Sequence, residues 1–228
     1  SRNADKQIAK AIKPKSRDVP AKYEKARKLR TGRAALIVTE GDSAQNVATV
    51  GVGVVGRDDY GIFPIRGKLI NTLNASKKQL IANQEVRNLI SILNLDTERT
   101  YTAADKLDYN HLIILSDQDP DGSHIRGLLI LFIHTLFPSV LEAFPNFVRV
   151  FATPLVRASH GSQTWSFFND LDFREWRAAR VAAKLPLGMI KYYKGLGALS
   201  NAFAKTLFAD MDKHVVTLMF RGTPCSES

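Results

Sequence analysis

The sequence predicts an α/β fold, a parallel sheet flanked by helices with a smaller α+β extension toward the C-terminus. Three observations carry that reading. Short β-rich apolar runs alternate with segments of helical spacing, the pattern of a parallel sheet with crossover helices. Two of the runs end in carboxylates followed by glycine: residues 34–39 lead into Glu40-Gly41-Asp42-Ser43, and residues 111–116 into Asp117-Gln118-Asp119-Pro120-Asp121-Gly122. Hydrophobic residues make up 45% of the 228, enough to fill a sizeable core.

Taken in order, residues 1–33 are polar, Lys-rich and interrupted by Pro14 and Pro20, which predicts a linker with one short helix over 21–29. The first strand, 34–39, is followed by a helix over 44–50, with Asp42 and Ser43 as suitable N-caps. The glycine-rich stretch 51–67 suits short strands and turns. Leu80, Ile81, Val86, Leu89, Ile90 and Leu93 fall at helical spacing and predict a helix over 76–93. The second acid-tipped strand, 111–116, precedes a helix over 125–137 that Pro138 closes. Strands at 147–152, 165–168 (an edge) and 189–194, and helices at 171–180 and 201–210, complete the chain. The expected organisation is a basic arm over 1–33, a metal-binding core over 34–157 and an extension over 158–228.

The formal net charge is +10, and its distribution is uneven. Residues 1–33 hold twelve Lys or Arg against three acids, whereas the other 195 hold twenty against nineteen. Such an arm either contacts a phosphate backbone or serves as a solvated linker. No run of about 18 uninterrupted apolar residues exists, so no membrane span is expected. The N-terminus lacks a signal-peptide core, so secretion is not expected. A single cysteine, Cys225, excludes an internal disulfide framework and a cysteine-based zinc site, and points to a reducing compartment.

Several motifs fail on context. Gly51-Val52-Gly53-Val54-Val55-Gly56 spells a dinucleotide fingerprint, but it follows a predicted helix and has Ser76 where an acid should stand. Gly61 to Gly67-Lys68-Leu69 is not a phosphate loop, because the glycine spacing is wrong and Leu69 replaces the metal-holding hydroxyl. Asp117-x-Asp119-x-Asp121-Gly122 opens like a calcium loop, yet its twelfth position is Leu128 and a strand precedes it.

What survives is the set of acids. If the two runs are neighbouring strands, Glu40, Asp117 and Asp119 meet at one sheet edge, the usual place for functional groups in such folds. Carboxylates held that close need a counter-charge, most simply a hard divalent cation such as Mg²⁺. The competing reading is an N-cap aspartate beside a solvated acidic turn. His124 and Arg126, near a helix N-terminus, are candidates for phosphate contact. Arg66, Lys68, Lys191 and Lys194 add positive charge beside glycines, and at least one of Tyr192 and Tyr193 is expected to pack in the core.

Together, Glu40-Gly41-Asp42-Ser43-Ala44, Pro64-Ile65-Arg66-Gly67-Lys68, Asp117 through Ile125 and Ile190-Lys191-Tyr192-Tyr193-Lys194-Gly195-Leu196-Gly197 resemble the Toprim domain of eukaryotic-type type II DNA topoisomerases. The resemblance runs from about Ala34 to Phe220 and implies a Rossmann-like Toprim sheet. It also implies Mg²⁺-assisted, reversible cleavage of duplex DNA within an ATP-dependent homodimer. Glu40 and Asp117 would hold the catalytic ion, and Asp117 and Asp119 a second one with Asp121 close by. Mn²⁺ or Ca²⁺ would be possible substitutes. Lys68 and Asn71 align with DNA-touching residues, and Arg66, His124 and Lys194 are further candidates. ATP would bind only in a separate ATPase domain. The nucleus is the implied compartment, with the mitochondrion, or the cytoplasm for a viral protein, as alternatives.

Two departures stand out: Gln45 replaces a frequent lysine, and Ala198-Leu199 replaces small hydroxyl residues. In the family the attacking tyrosine follows an arginine on a winged-helix domain. None of Tyr23, Tyr60, Tyr101, Tyr109, Tyr192 and Tyr193 does so. These residues alone are therefore expected to hold metal without completing strand passage. The rival readings are a free-standing Mg²⁺-dependent nuclease and a non-catalytic DNA-binding module.

Overall fold

Six residues, Ala35–Glu40, form β1, and the first five are buried. Their side chains alternate between two cores, Leu36 and Val38 facing one and Ala35 and Ile37 the other. A strand buried on both faces must be apolar throughout, which is why the run reads as continuous rather than alternating. The computed structural model describes residues 19–67 and 69–220. Within them, β1 lies between β2 (Tyr60–Ile65) and β3 (His111–Leu115), parallel to both. Strand β4 (Val148–Phe151) continues the parallel set, and β8 (Val215–Thr217) closes the sheet antiparallel to β4, in the order β2-β1-β3-β4-β8.

One face of the sheet is covered by α3 (Gln84–Leu93), α4 (Pro120–Leu136) and α5 (Pro138–Ala143), through Leu89, Ile90, Leu129, Phe132, Ile133 and Val140. The other is covered by α1 (Gly41–Val55) and α7 (Asn201–Ala209), through Val47, Ala48, Val52, Phe203, Leu207 and Phe208. Helix α1 does not stop at residue 50 as expected but runs through Gly51 and Gly53. A glycine inside a helix costs about 1 kcal/mol. Gly51 offsets this by letting the Phe208 ring lie against the backbone, where a Cβ would overlap it. Nor do Asp42 or Ser43 cap α1. It begins at Gly41, whose φ of +73° makes the turn out of β1, and no side chain caps it.

The helix expected over 76–93 is two helices, α2 (Lys77–Ala82) and α3. Ser76 and Gln79 form a capping box on α2, and extended Asn83 breaks the run while its side chain caps Val86 N–H.

Beyond β4 the chain makes a second, antiparallel sheet in the order β6-β5-β7, from β5 (Val156–His160), β6 (Gln163–Phe167) and β7 (Met189–Tyr192). The expected boundary at residue 157/158 falls inside β5. Helix α6 (Asp170–Ala182) packs on this sheet through Phe173 and Trp176, which meet Phe167 and Trp165. After α7, a short α8 (Met211–His214) brings the chain back to β8.

Residues 21–29 form no helix. Glu24 pairs with Ile62 on the free edge of β2, each N–H donating to the other's carbonyl at 2.8 Å. An open edge strand needs such a cover. The nearby cations face acids of the body: Lys22 meets Asp42, Lys28 meets Asp58 and Arg30 meets Asp108. From residue 19 onward the arm is therefore docked on the body through its backbone and surface ion pairs, with most of its cationic side chains still exposed, while residues 1–18 and Cys225 lie outside the described residues.

His111, at the far end of β3, gives the fold an acid limit. Arg149 Nη2 lies 3.2 Å from its Nε2, and its Nδ1 lies 3.3 Å from the Asn146 carbonyl. A guanidinium only donates, so Nε2 accepts and Nδ1 carries the proton. Burial first, then the Arg149 charge, hold this imidazole below the ordinary histidine value of 6.5, and burial does the same for His214. The unfolded chain thus takes up protons before the folded one. Stability is complete above about pH 6.5 and falls below it, toward the folded values. The urea midpoint should drop between about pH 7.5 and about pH 5.5, by less in His111→Gln. An identical drop in that variant would remove His111 from the account.

Candidate metal centre at the strand ends

Parallel pairing in the register Thr39↔Leu115 brings Glu40, the last residue of β1, beside the residues that follow β3. Asp117 N–H donates to Glu40 Oε2 at 3.2 Å. Glu40 is partly buried, and that burial is the main cause of its raised pKa. The negative charges of Asp117, Asp119 and Asp121 push the same way, against the stabilising Asp117 N–H. All four acids therefore share one electrostatic neighbourhood. Glu40 and Asp121 line a single open cleft of about 510 Å³ with Asp42, Ile65, Arg66, Gly67 and Ile125.

The turn after β3 is tighter than the sequence suggested. Helix α4 starts at Pro120, not at residue 125, because Asp119 caps it: Oδ1 accepts Gly122 N–H at 2.7 Å. One oxygen of Asp119 is thus used as the competing structural reading anticipated, whereas Asp121 is exposed on the first turn. Gly122 lies so close to the Asp117 carbonyl that a Cβ would overlap it. Arg126 reaches back to this turn, donating to Ser116 Oγ (3.1 Å), to the Asp117 carbonyl (3.2 Å) and to Ser123 Oγ (2.7 Å). Its guanidinium is occupied inside the protein, while His124 is exposed.

Asp117 is also gripped from the far end of the chain. The segment after β7 runs into a short 3₁₀ turn, Leu196–Ala198, and Leu196 N–H donates to Asp117 Oδ1 at 2.8 Å. Gly195 packs so near that a Cβ would stand 2.5 Å from Asp117 Oδ2. Tyr193 anchors the segment, buried and stacked on Phe203 at 5.4 Å between ring centroids, while Tyr192 is 59% exposed. Of the two tyrosines, one packs in the core as expected.

Among the remaining sequence candidates, Arg66 is exposed on the cleft wall and its N–H bonds to Glu85. Asn71 is exposed and accepts Leu73 N–H at 3.1 Å, and Lys194 is exposed beside Gly195. Lys68 lies outside the described residues. Sequence reasoning missed the docked residues Lys22 and Glu24, which abut α1. The one available signal was that the expected helix over 21–29 has no cap and little apolar stripe.

Among the described residues, no three acidic or imidazole groups stand close enough to enclose an ion unaided. A small hard cation does not need that. Mg²⁺ typically keeps several waters and takes one or two carboxylates plus phosphate oxygens. An oxygen-only donor set with surplus negative charge, open to a cleft, fits such an ion.

Acids at the ends of adjacent parallel strands, in a sheet covered by helices on both faces, define a Toprim-type α/β domain. The chain belongs to the Toprim family, whose model, the Toprim domain, matches residues 35–153; the C-terminal associated domain of TOPRIM matches residues 151–227. It is of the eukaryotic type II topoisomerase kind. DNA topoisomerase 2 of Pisum sativum is 46% identical over 183 residues, covering 80% of this chain and 12% of that protein. The mitochondrial DNA topoisomerase 2 of Dictyostelium discoideum is 42% identical over 196 residues, 84% of this chain and 15% of that protein. In three dimensions the chain resembles the DNA-binding, cleavage and re-ligation domain of Plasmodium falciparum topoisomerase II. The TM-score is 0.81 at 39% identity, over 89% of this chain and 28% of the other. The chain thus spans only 12–15% of these two curated relatives.

Proposed function

We propose that this chain is the Mg²⁺-binding module of an ATP-dependent type II DNA topoisomerase, serving reversible double-strand cleavage. The observation that carries the proposal is the meeting of Glu40 and Asp117 across adjacent strands, with Asp117 fixed by the Leu196 N–H.

Glu40 and Asp117 would hold the catalytic ion, and Asp117 and Asp119 a second, with Asp121 at the cleft wall. When bound, the metal neutralises charge on a phosphoryl oxygen and orients the backbone for displacement. The protein's own groups prepare that step. Leu196 N–H and Arg126 fix Asp117 from two sides, so its free oxygen is aimed before metal or DNA arrives. Partial burial of Glu40 strengthens its interaction with any cation that enters. Arg66, Lys68, Asn71, His124 and Lys194 would contact the DNA backbone. Duplex DNA as substrate, a homodimeric assembly, ATP bound in a separate domain and a nuclear location belong to the same reading. The named mitochondrial relative keeps the mitochondrion as the alternative compartment.

The test uses Mn²⁺ as probe. Electron paramagnetic resonance should show Mn²⁺ binding that weakens at least about tenfold in Glu40→Gln and in Asp117→Asn, with melting temperatures held. Grafted into the pea enzyme in place of the matching segment, the chain should support DNA relaxation, and either substitution should abolish it. Unchanged Mn²⁺ affinity in both variants would sink the site. Plasmid cutting by the chain alone would favour the nuclease reading.

A further inference from the structure

Residues 20–29 touch helix α1 along a single stripe. Lys22 Nζ lies 2.5 and 2.7 Å from the two oxygens of Asp42. Gln45 Nε2 donates to the Lys22 carbonyl (3.1 Å) and to Glu24 Oε1 (3.2 Å). Thr49 Oγ1 donates to the same Glu24 oxygen at 2.8 Å, and Arg57 takes the other. Positions 42, 45 and 49 stand at i, i+3 and i+7, one face of the helix. Each of them is met by Lys22 or Glu24.

The same segment is fastened to the sheet independently of α1. Glu24 pairs through its backbone with Ile62 of β2. The Tyr23 hydroxyl meets the Tyr109 hydroxyl, and that of Tyr109 also accepts Ala26 N–H at 3.2 Å. Tyr109 in turn lies so close over Gly61 that a Cβ there would overlap its hydroxyl. The segment is thus a strap that ties α1 to the edge of the sheet. Two clefts, of about 270 Å³ and about 170 Å³, lie between the segment and α3.

Helix α1 starts at the residue after Glu40, and nothing but the Gly41 turn separates the strap's first anchor, Asp42, from that carboxylate. On its other side α1 is pressed by Phe208 at Gly51. A helix held from opposite sides has one axial and rotational setting, and that setting fixes where Glu40 points. We infer that residues 20–29 are a positioning strap for the metal centre, with Lys22 and Glu24 acting through α1 to hold Glu40 against Asp117. The inference rests on the proposed metal reading only for its functional meaning, because the geometry it sets, Asp117 N–H on Glu40, exists without metal.

That bond supplies the readout. In the doubly substituted chain Lys22→Met/Glu24→Gln, hydrogen exchange of the Asp117 amide should quicken about fivefold, the loss expected for one loosened hydrogen bond, while amides of β3 keep their protection. Mn²⁺ affinity should fall in parallel, whereas the conservative Lys22→Arg should leave both unchanged. Lys25→Met, altering an exposed neighbour in the same segment, should change neither. Should the double variant fold poorly, Thr49→Val deletes a single hydroxyl from the stripe and should quicken the same amide. Unaltered Asp117 exchange in all of these variants would reduce the strap to edge cover. Quickened exchange with unaltered Mn²⁺ binding would uphold the strap but overturn its service to the metal centre. Loss of Mn²⁺ binding in Glu40→Gln is the separate check on that centre.

Discussion

Gly195→Ala is expected to weaken divalent-cation binding by about ten- to a hundredfold, the range seen when a group that orients a metal ligand is disturbed. The added methyl would stand 2.5 Å from Asp117 Oδ2, so either the carboxylate or the loop must give way. If the loop yields, Leu196 N–H leaves Asp117 Oδ1. The cause is crowding and not backbone strain, since φ at Gly195 is −172°, which any residue adopts. Overall stability should fall by only about 1–3 kcal/mol, the usual cost of overpacking. Gly197→Ala is the matched control, because a methyl there meets Ser43 at 3.8 Å, an ordinary contact. Calorimetric Mn²⁺ titrations of both variants decide the matter; equal affinities would show that the loop does not govern Asp117.

Phe208→Ala should produce the largest loss of stability, about 3–5 kcal/mol in urea unfolding. The ring is fully buried, stacks on Phe151 at 4.7 Å between centroids and fills the space above Gly51. Gly51→Ala should also destabilise, from overlap with that ring. Combining the two should cost less than their sum, because the small side chain at 208 leaves room for the new methyl. Strict additivity would mean that the two positions do not share one contact.

Much of this architecture can be read before any coordinates. Leu36-Ile37-Val38 and Leu112-Ile113-Ile114-Leu115 announce strands buried on both faces, and the acids that follow mark the edge that carries the candidate site. That Glu40 and Asp117 touch depends on β1 and β3 being neighbours, which is a matter of topology and invisible in either run alone. The sequence ends α1 too early because Gly51 and Gly53 oppose helix locally, and the ring that compensates at Gly51 stands more than 150 positions later. The true conformation of residues 21–29 is not legible in the sequence because their ties are to Ile62 and Tyr109, distant partners that leave no local pattern. Asp119 is the reverse case: Asp-Pro before a helix is a local capping signal, which the sequence offers as the competing reading, yet the expected helix starts too late, at residue 125 and not at Pro120. Gly195 stood in a motif recognised by resemblance, but the reason for a glycine there emerges only when Asp117 lies beneath it.

Phe151, the last residue of β4, stands opposite Val215, the first of β8. Everything between leaves the main sheet and rejoins it at one point, as an insertion with adjoining ends does. Only the stretch from Tyr193 through α8 of that insertion bears on Asp117 or the face of the main sheet. The hairpin joining β5 to β6, and the turn after α6, can therefore gain or lose length across related chains while the acids keep their places.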